Sequence, residues 1–252
     1  MSSIYKTLFS EESRYWLYKV RHLREFQKLR TTVYQSPKGD FSLRSFDLHC
    51  CLFIHIPKSA GTSVAKSLFG ELPYHYTATQ YRVIFGRRTF NRYFKFAFVR
   101  NPWDRLYSAY SYLKDGGWND EDRSWYMENL GGMPDFNKFV MDWLMPERLH
   151  SHLHLMPQTN FICDRRGGVL LDFMGYFETI REDFATVAKH LKMKKQLAHV
   201  NTSKRLDYRD IYTPAAIEKV KSLYRKDIEN FGYTFDGIDS RKAIRHGMFV
   251  SR

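Results

Sequence analysis

The first regular pattern along the chain is an apolar run that gives way to small polar residues. Residues 50–56 are almost all apolar, which is typical of a central parallel strand buried on both faces. Residues 62–69 then have the pattern of a short helix, and Gly70 is a suitable residue to end it. This part of the sequence therefore predicts a strand, a loop and a helix.

The same arrangement recurs further along. Residues 93–99 predict a second strand, and Asn101 with Pro102 forms a helix start, with Asn as N-cap and Pro as the first helical residue. The apolar residues of this helix share one face: Trp103, Leu106, Tyr107, Tyr110 and Leu113. Three polar residues are expected mostly off that face: Arg105, Ser108 and Ser111.

Two more helices are predicted in the second half of the chain. Residues 175–191 suggest a short strand and then a helix, with Thr179 and Glu182 as a capping box. The apolar face of this helix is Ile180, Phe184, Val187 and Leu191. A last helix opens at Thr213-Pro214 and closes at Gly232. Its apolar face is Ile217, Val220, Tyr224, Ile228 and Phe231.

Strands that alternate with helices indicate an α/β fold, with a mainly parallel sheet flanked by helices on both faces. We expect a single domain over residues 49–240, preceded by a basic helical extension over 1–48 and followed by a basic tail over 241–252. Apolar residues at near-helical spacing predict an amphipathic helix around 11–30: Trp16, Val20, Leu23 and Phe26. Packing on the main domain is favoured over the alternative, a helix lying on a membrane surface.

Composition narrows the class of protein. The hydrophobic content of 43% and the aromatic content of 17% exclude a disordered chain. No apolar run approaches the ~20 residues that span a bilayer, and the N-terminal residues match no signal peptide. Three cysteines, Cys50, Cys51 and Cys163, form neither a metal spacing nor an even disulfide set, so a reducing, cytoplasmic location is expected. The net charge of +13 indicates an anionic partner without saying which.

The loop after the first strand, "PKSAGTS", has the composition of a phosphate site. Gly61 permits close approach, Thr62 and Ser63 can donate hydroxyl groups, and Lys58 supplies a mobile positive charge at a helix start. Nucleotide-triphosphate loops instead place the lysine late, directly before the Ser or Thr that holds magnesium. The loop therefore predicts a phosphate site without a metal, and an ordinary Ser/Gly turn is the alternative.

A second junction of the same kind follows the second strand. Arg100 lies at the end of that strand, and Ser108 lies two turns into the next helix. Ligands of parallel α/β sheets bind at the carboxyl ends of the strands, so the two junctions are expected to face one crevice. An arginine fork with a serine hydroxyl suits a second phosphate on the same ligand. A plain salt bridge and a surface hydroxyl are the alternatives.

"IHIPKSAGTS" followed by "FAFVRNPWDRLYSAY" resembles the paired 5′-phosphosulfate and 3′-phosphate loops of sulfotransferases that use 3′-phosphoadenosine 5′-phosphosulfate (PAPS). The resemblance is to the carbohydrate branch, which includes chondroitin 4-O- and heparan 2-O-sulfotransferases and their bacterial relatives. It extends from about residue 50 to about residue 238 through "HLHLMPQTNFI", "GYFETIREDF" and "NTSKRLDYRDIYTP". The N-terminus departs from the animal Golgi enzymes in lacking a membrane anchor, which favours the cytoplasm over the Golgi lumen.

The resemblance implies roles for particular residues. Lys58 would lie against the 5′-phosphate and the bridging oxygen, where negative charge develops as the sulfuryl group leaves. The 5′-phosphate would be cradled by Ser59, Ala60, Gly61, Thr62 and Ser63. The 3′-phosphate would bind Arg100 and Ser108, and a late basic segment with Lys204 and Arg205 would close over the nucleotide. No metal is expected.

The acceptor hydroxyl needs a base, and histidine is the usual one near neutral pH. The resemblance makes His75, in "YHYTA", the first candidate, with His154 second and His152 third. His55 lies within the apolar run and is expected to support the fold. Two carboxylates, Glu178 and Asp104, are alternatives as the base.

The acceptor is expected to be a carbohydrate, and the excess of Lys and Arg suits an acidic glycan. Trp118, Trp125 and Tyr126 are candidates for stacking on sugar rings, and core packing is the alternative for each. A small-molecule or lipid-linked acceptor is an alternative. Two other classes stay open, a magnesium-dependent phosphoryl transferase and a non-catalytic polyanion binder, although nucleic acid is not an expected partner. Peripheral contact with a membrane is also left open.

Overall fold

This computed structural model describes residues 41–133, 135–198 and 206–239, together with single positions between 13 and 27. The described positions between 13 and 27 are helical, and the side chains of Trp16 and Val20 are 61% and 51% exposed. Phe26 lies outside the described residues, so the packing of this helix on the domain stays a prediction. Within the described ranges, no helix combines the length and the apolar character needed to cross a membrane.

The centre of the fold is a parallel sheet in the order β1-β2-β3, consisting of Cys51–Ile54, Phe94–Val99 and Phe173–Tyr176. Cys51 pairs with Phe94, and Val99 pairs with Tyr176. The strands are buried almost throughout, as continuous apolar runs require when helices cover both faces. The predicted α/β class is confirmed. Both predicted strands are longer than the observed ones, since β1 starts one residue later and ends two residues earlier.

Helices connect and cover the strands. The α-helices α1 to α11 are, in chain order, Arg44–Leu48, Gly61–Phe69, Ala78–Phe85, Arg87–Arg92, Pro102–Lys114, Asp120–Leu130, Phe136–Lys138, Thr159–Ile162, Ile180–His190, Pro214–Leu223 and Arg225–Phe231. A π-helical turn, Phe139–Trp143, extends α7, and 3-10 turns occur at Pro146–His150, Phe177–Thr179 and Tyr208–Asp210. A short antiparallel pair, β4 (Tyr233–Thr234) and β5 (Gly237–Ile238), follows α11.

The hydrophobic interior forms two clusters. The first surrounds the sheet and includes Leu43 and Phe46, which precede the predicted start of the domain at residue 49. The second lies between α5, α6, α10 and the π-helical turn, around Trp103 and Leu113.

Three local predictions are corrected by the structure. Arg105 and Ser108 are buried rather than off the packed face of α5, at 1% and 2% exposure. The capping box at Thr179 is absent, because the Thr179 hydroxyl donates to Asp183 Oδ2, which also accepts from the Tyr176 amide. The last predicted helix is two helices, α10 and α11, separated at Tyr224. Its predicted start is confirmed, since the Thr213 side chain accepts from the Ala216 amide.

Candidate active site

A cavity of about 740 Å³ opens where the loops after β1 and β2 leave the sheet. This is the edge at which parallel α/β sheets bind ligands. Most of the predicted site residues line it: Lys58, Ala60, Gly61, Thr62, Ser63, His75, Arg100, Ser108 and His154. The two predicted phosphate loops therefore face one cavity and not two separate clefts. Lys204 and Arg205 lie outside the described residues.

The first loop is a tight turn that delivers the chain to the start of α2. Lys58 and Ala60 have left-handed backbone angles, with φ of 65° and 59°. Gly61 begins α2 directly against the His55 ring, and a Cβ at this position would lie 1.9 Å from His55 Cδ2. Glycine is therefore required here for close approach. The residues of the first turn of α2 line the cavity, and the amide groups and dipole of a helix start favour an anion.

Arg100 begins the second loop, and its guanidinium is held along its edges by hydrogen bonds and on one face by an aromatic ring. Its Nε and Nη2 atoms lie 2.7 Å from Asp104 Oδ2, and its Nη1 donates to the Lys58 carbonyl at 3.0 Å. The guanidinium also lies 4.0 Å from the centre of the Phe177 ring. Asp104, one of the alternative bases, is thus the ion-pair partner of Arg100. The Arg100 side chain is fixed in position and ties the second loop to the first.

Gln158 connects the two loops, although the sequence did not single it out. It is fully buried, and its Oε1 accepts from the Arg100 amide at 2.9 Å and from the Ser59 hydroxyl at 3.3 Å. Its Nε2 donates to the Arg100 carbonyl at 2.8 Å. The Ser59 side chain therefore points to Gln158. Gln158 is 58 residues from Arg100 in sequence, so no local pattern announces this contact.

Asp227 holds the Gln158 segment in turn. Its carboxylate accepts from the amides of Gln158 and Thr159 at 2.7 and 2.9 Å, and from the Thr159 hydroxyl at 2.8 Å. Complete burial raises the pKa of Asp227, while these hydrogen bonds and Arg105 oppose that shift. This acid of α11 thus anchors the residue that joins the two loops.

Arg105 is buried and bonds to backbone carbonyl groups of two segments next to the cavity. Its Nη1 donates to the carbonyls of Pro57 and His154 at 3.3 and 3.2 Å, and its Nη2 donates to the Met156 carbonyl. The first loop and the segment that carries His154 are therefore held by one buried guanidinium. Its role too depends on contacts that are distant in sequence.

His75 lies beside His55 and lines the cavity. Its Nδ1 is 2.8 Å from the His55 carbonyl oxygen, and the two rings are 4.1 Å apart between centres. Since a carbonyl only accepts, Nδ1 carries the proton, and Nε2 of the neutral ring is the basic atom. Burial lowers the pKa of His75, and nearby Lys58 lowers it further, whereas Asp122 raises it. Burial holds the pKa of His55 well below its usual value, which fits a supporting residue.

His154 lies beside His75, in an edge-to-face contact with ring centres 6.3 Å apart. It adjoins His152 and Tyr112, and the Lys58 ammonium lies 3.9 Å from the centre of the Tyr112 ring. His152 Nε2 in turn is 3.2 Å from Asp122 Oδ1. Within the described ranges, His154, His152 and Asp122 are the one group of three side chains whose spacing could suit a metal ion.

Of the remaining candidate residues, some line the cavity and others pack within the fold. Glu178 lines the cavity but accepts from the Asn101 amide and the Tyr233 hydroxyl, and burial raises its pKa. Of the three aromatic residues considered for sugar stacking, Trp118 lines the cavity mouth and is 65% exposed. Trp125 packs against His152 and Trp143, and Tyr126 is buried.

Comparison with known proteins agrees with this arrangement. The sequence profile of the Sulfotransferase family matches residues 46–234, which include both loops and the sheet. An uncharacterized protein of Archaeoglobus fulgidus is 31% identical over 127 residues, which are 50% of this chain and 91% of that protein. No solved structure matches the chain significantly. Because the profile covers most of the described fold and its cavity, this chain belongs to the Sulfotransferase family.

Proposed function

We propose that the protein transfers the sulfuryl group of PAPS to a hydroxyl group of a carbohydrate. The observation that carries this proposal is the convergence of the two anion-binding loops on one cavity, joined through Gln158. A ligand with an anion at each end fits such a pair of loops, and PAPS has a 5′-phosphosulfate and a 3′-phosphate. The family match supports sulfuryl transfer but does not itself specify the donor or the acceptor.

The donor would bind with its two ends in different loops. The 5′-phosphate would occupy the turn from Lys58 to Ser63 and the start of α2, where amide groups and the helix dipole stabilise negative charge. The 3′-phosphate would bind at Arg100 and Ser108. Lys204 and Arg205 would cover the nucleotide, as the family resemblance implies. The 3′-phosphate contact would then distinguish PAPS from ordinary adenine nucleotides.

The reaction would be an in-line displacement at sulfur. The acceptor oxygen forms a bond to sulfur as the bond from sulfur to the bridging oxygen breaks, and the electron pair of that bond stays on the 5′-phosphate. Lys58 would stabilise the charge that develops there. Because a sulfuryl group carries less charge than a phosphoryl group, Lys58, the amide groups and the helix dipole suffice in this scheme without a metal.

The hydroxyl proton would pass to a histidine of the cavity. His75 is half-buried, lines the cavity and has its basic Nε2 fixed by the bond from Nδ1 to His55. His154 lies next to His75, also lines the cavity and is the second candidate. Both are neutral at pH 7 because burial lowers the pKa of each, so either is in the form that accepts a proton.

A carbohydrate acceptor is supported by the family resemblance and by the exposed Trp118 at the cavity mouth. Aromatic rings at such positions stack on the apolar faces of sugars. The surplus of basic residues over the whole chain, with a net charge of +13, suits an acidic or already sulfated glycan. The acceptor hydroxyl would enter past Trp118 and meet the sulfuryl group beside His75 and His154.

The test is transfer of ³⁵S-sulfate from labelled PAPS to a panel of neutral, acidic and sulfated glycans, with phenolic, alcoholic and lipid-linked acceptors beside them. We expect transfer to a glycan that persists in EDTA, and elution from immobilised ADP by 3′,5′-ADP far better than by ATP. Transfer to lipid or small-molecule acceptors alone would contradict the carbohydrate assignment. Labelling from ATP and magnesium would assign a phosphoryl transferase instead.

A further inference from the structure

Asp122, His152 and His154 form a continuous chain of hydrogen bonds beside the cavity. His152 Nε2 lies 3.2 Å from Asp122 Oδ1, and His152 Nδ1 lies 3.2 Å from His154 Nδ1. The His152 and His154 rings are stacked, with centres 5.0 Å apart. The His152 and Asp122 side chains are only 10% and 13% exposed, so water competes weakly for these bonds.

The backbone fixes where the protons are. The amide of His154 is a permanent donor, and it lies 3.3 Å from His152 Nδ1. His152 Nδ1 must therefore be an acceptor, and the His152 proton is on Nε2, where Asp122 accepts it. His154 Nδ1 faces the same acceptor atom and so carries its own proton. The basic atom of neutral His154 is consequently Nε2.

Asp122 is itself held in place from the other side. Its Oδ2 accepts from the Tyr112 hydroxyl at 2.8 Å and from the Trp118 amide at 2.9 Å, which leaves Oδ1 for His152. Tyr112 also packs against His154, with ring centres 4.8 Å apart. The carboxylate is therefore a fixed negative charge at the end of the chain furthest from His154.

That negative charge matters because His154 stands among cations and other imidazoles. The groups that face it are His152, His75, Lys58 and Arg105, and they add to burial in holding its pKa well below the usual value. A second proton on His154 alone would be opposed by Lys58 and Arg105. The bond from His154 Nδ1 to His152, whose Nε2 donates to the Asp122 carboxylate, offsets part of this opposition.

We propose that Asp122 and His152 are positioning residues that make His154 the proton acceptor of the transfer reaction. As the acceptor oxygen bonds to sulfur, its proton moves to His154 Nε2, the His154 imidazolium keeps its Nδ1 proton bonded to His152 Nδ1, and the leaving bridging oxygen keeps its electron pair. His75, beside His154, then orients the hydroxyl. This inference rests on the proposed function, because it assigns the base for that reaction.

The first test compares Asp122→Asn with Asp120→Asn, a matched change on the exposed start of the same helix. In Asp122→Asn the side-chain oxygen can keep the bonds to Tyr112 and Trp118, but the new amide nitrogen then faces the Nε2 proton of His152, so the bond that fixes the His152 tautomer is lost. We expect kcat to fall about 10²-fold, with KM for PAPS and the Kd of 3′,5′-ADP unchanged. The acidic limb of the pH profile should move to lower pH, because a neighbouring carboxylate raises histidine pKa values. Asp120→Asn should match the wild type.

A second pair of variants separates positioning from packing. In His152→Gln an amide oxygen can still accept from His154 while the amide nitrogen donates to Asp122, whereas His152→Ala removes both contacts. Partial recovery of kcat in the glutamine variant over the alanine variant supports positioning. Equal activity of Asp122→Asn and wild type, or a higher KM and weaker binding of 3′,5′-ADP without a change in the pH profile, would overturn the inference.

A third measurement needs no substrate, so its failure is distinct from failure of the proposed function. Imidazole ¹⁵N shifts of the whole protein should show protonated Nδ1 and bare Nε2 at His154, and this pattern should be lost in Asp122→Asn. Protonated Nε2 at His154 in the wild type contradicts the inference. So does stoichiometric Zn²⁺ binding that His152→Gln abolishes, since it would assign the three side chains to a metal. If no sulfate is transferred from PAPS, the proposed function fails. The ¹⁵N shifts would still show whether the hydrogen bonds from Asp122 through His152 to His154 exist.

Discussion

Lys58 combines a charged side chain with a backbone conformation that ordinary residues avoid. A left-handed residue costs roughly 1–2 kcal/mol, and both Lys58 and Ala60 adopt this conformation. Such strain persists only where surrounding contacts hold it. Here the Lys58 carbonyl accepts from Arg100, and the Pro57 carbonyl accepts from Arg105. The second loop and α5 thus maintain the geometry of the first loop.

The variant Lys58→Asn tests the charge without adding strain, because asparagine tolerates left-handed angles. We expect sulfate transfer to fall by about 10²-fold or more, because the charge that develops on the bridging oxygen loses its partner. Lys192→Asn is the matched control, since Lys192 has a φ of 55°, is exposed and does not line the cavity. Initial rates with labelled PAPS decide the outcome. Equal losses in both variants would point to the backbone and not to the ammonium group.

Gly61 offers a second residue-scale prediction. In Gly61→Ala the new methyl group would meet the His55 ring at 1.9 Å, and neither the strand end nor the start of α2 can easily yield. We expect the free energy of unfolding to fall by about 1–3 kcal/mol and 3′,5′-ADP binding to weaken. Gly132→Ala is the control, because a Cβ there has no neighbour within 4 Å. Urea denaturation and calorimetric titration measure the two effects, and unchanged binding in Gly61→Ala would refute the close-approach argument.

At the scale of elements, what the sequence predicted depended on local signals. The starts of α5 and α10 follow from Asn101-Pro102 and Thr213-Pro214, whose caps involve neighbours in sequence. The predictions that failed were decided by side-chain contacts that the pattern of apolar residues does not reveal. Thr179 bonds Asp183 instead of capping its helix, and the helix break at Tyr224 coincides with a hydrogen bond from its hydroxyl to the Leu155 carbonyl at 2.6 Å. The burial of apolar residues on the helices was predicted well. The burial of Arg105 was not predicted, because its hydrogen-bond partners are carbonyl groups in other segments.

The connection between the two loops can be tested by Gln158→Met, which keeps the side-chain volume but removes its polar atoms. Three partners lose their bonds: the Ser59 hydroxyl and both backbone groups of Arg100. We expect a loss of about 1–3 kcal/mol in the free energy of unfolding and weaker binding of 3′,5′-ADP. Gln196→Met, at an exposed position, should change neither quantity. Normal 3′,5′-ADP affinity in Gln158→Met would show that the loops keep their spacing by other means.

The N-terminal boundary of the domain gives a prediction at the scale of the whole molecule. Leu43 and Phe46 are fully buried against the sheet cluster, and the Ser42 amide donates to the Leu72 carbonyl. A chain that begins at residue 49 should therefore be less stable than one that begins at residue 41 by about 3 kcal/mol or more. Thermal and urea unfolding of the two truncated proteins make the comparison. Equal stability would place the domain start at residue 49, as the sequence first suggested.

For the molecule as a whole, the order of strands and helices and the edge at which the cavity opens followed from sequence. Two strand–loop–helix connections, each with a basic residue at its start, were sufficient to place Lys58 and Arg100 at one cavity. The histidine and carboxylate chain behind His154 could not be predicted, because Asp122 and His152 are 30 residues apart and meet only through tertiary packing. Sequence spacing thus identified the anion-binding side of the cavity better than its proton-accepting side.

Gln158 determines a distance as well as a set of hydrogen bonds. Because the buried side-chain amide of Gln158 bonds to both loops, the distance between the two anion sites is fixed before a ligand binds. A compound whose charged ends are too close together or too far apart can satisfy one loop but not both. The protein would therefore select its donor by length, and redesign for a longer or shorter donor would have to begin at position 158, a residue that need not touch the donor at all.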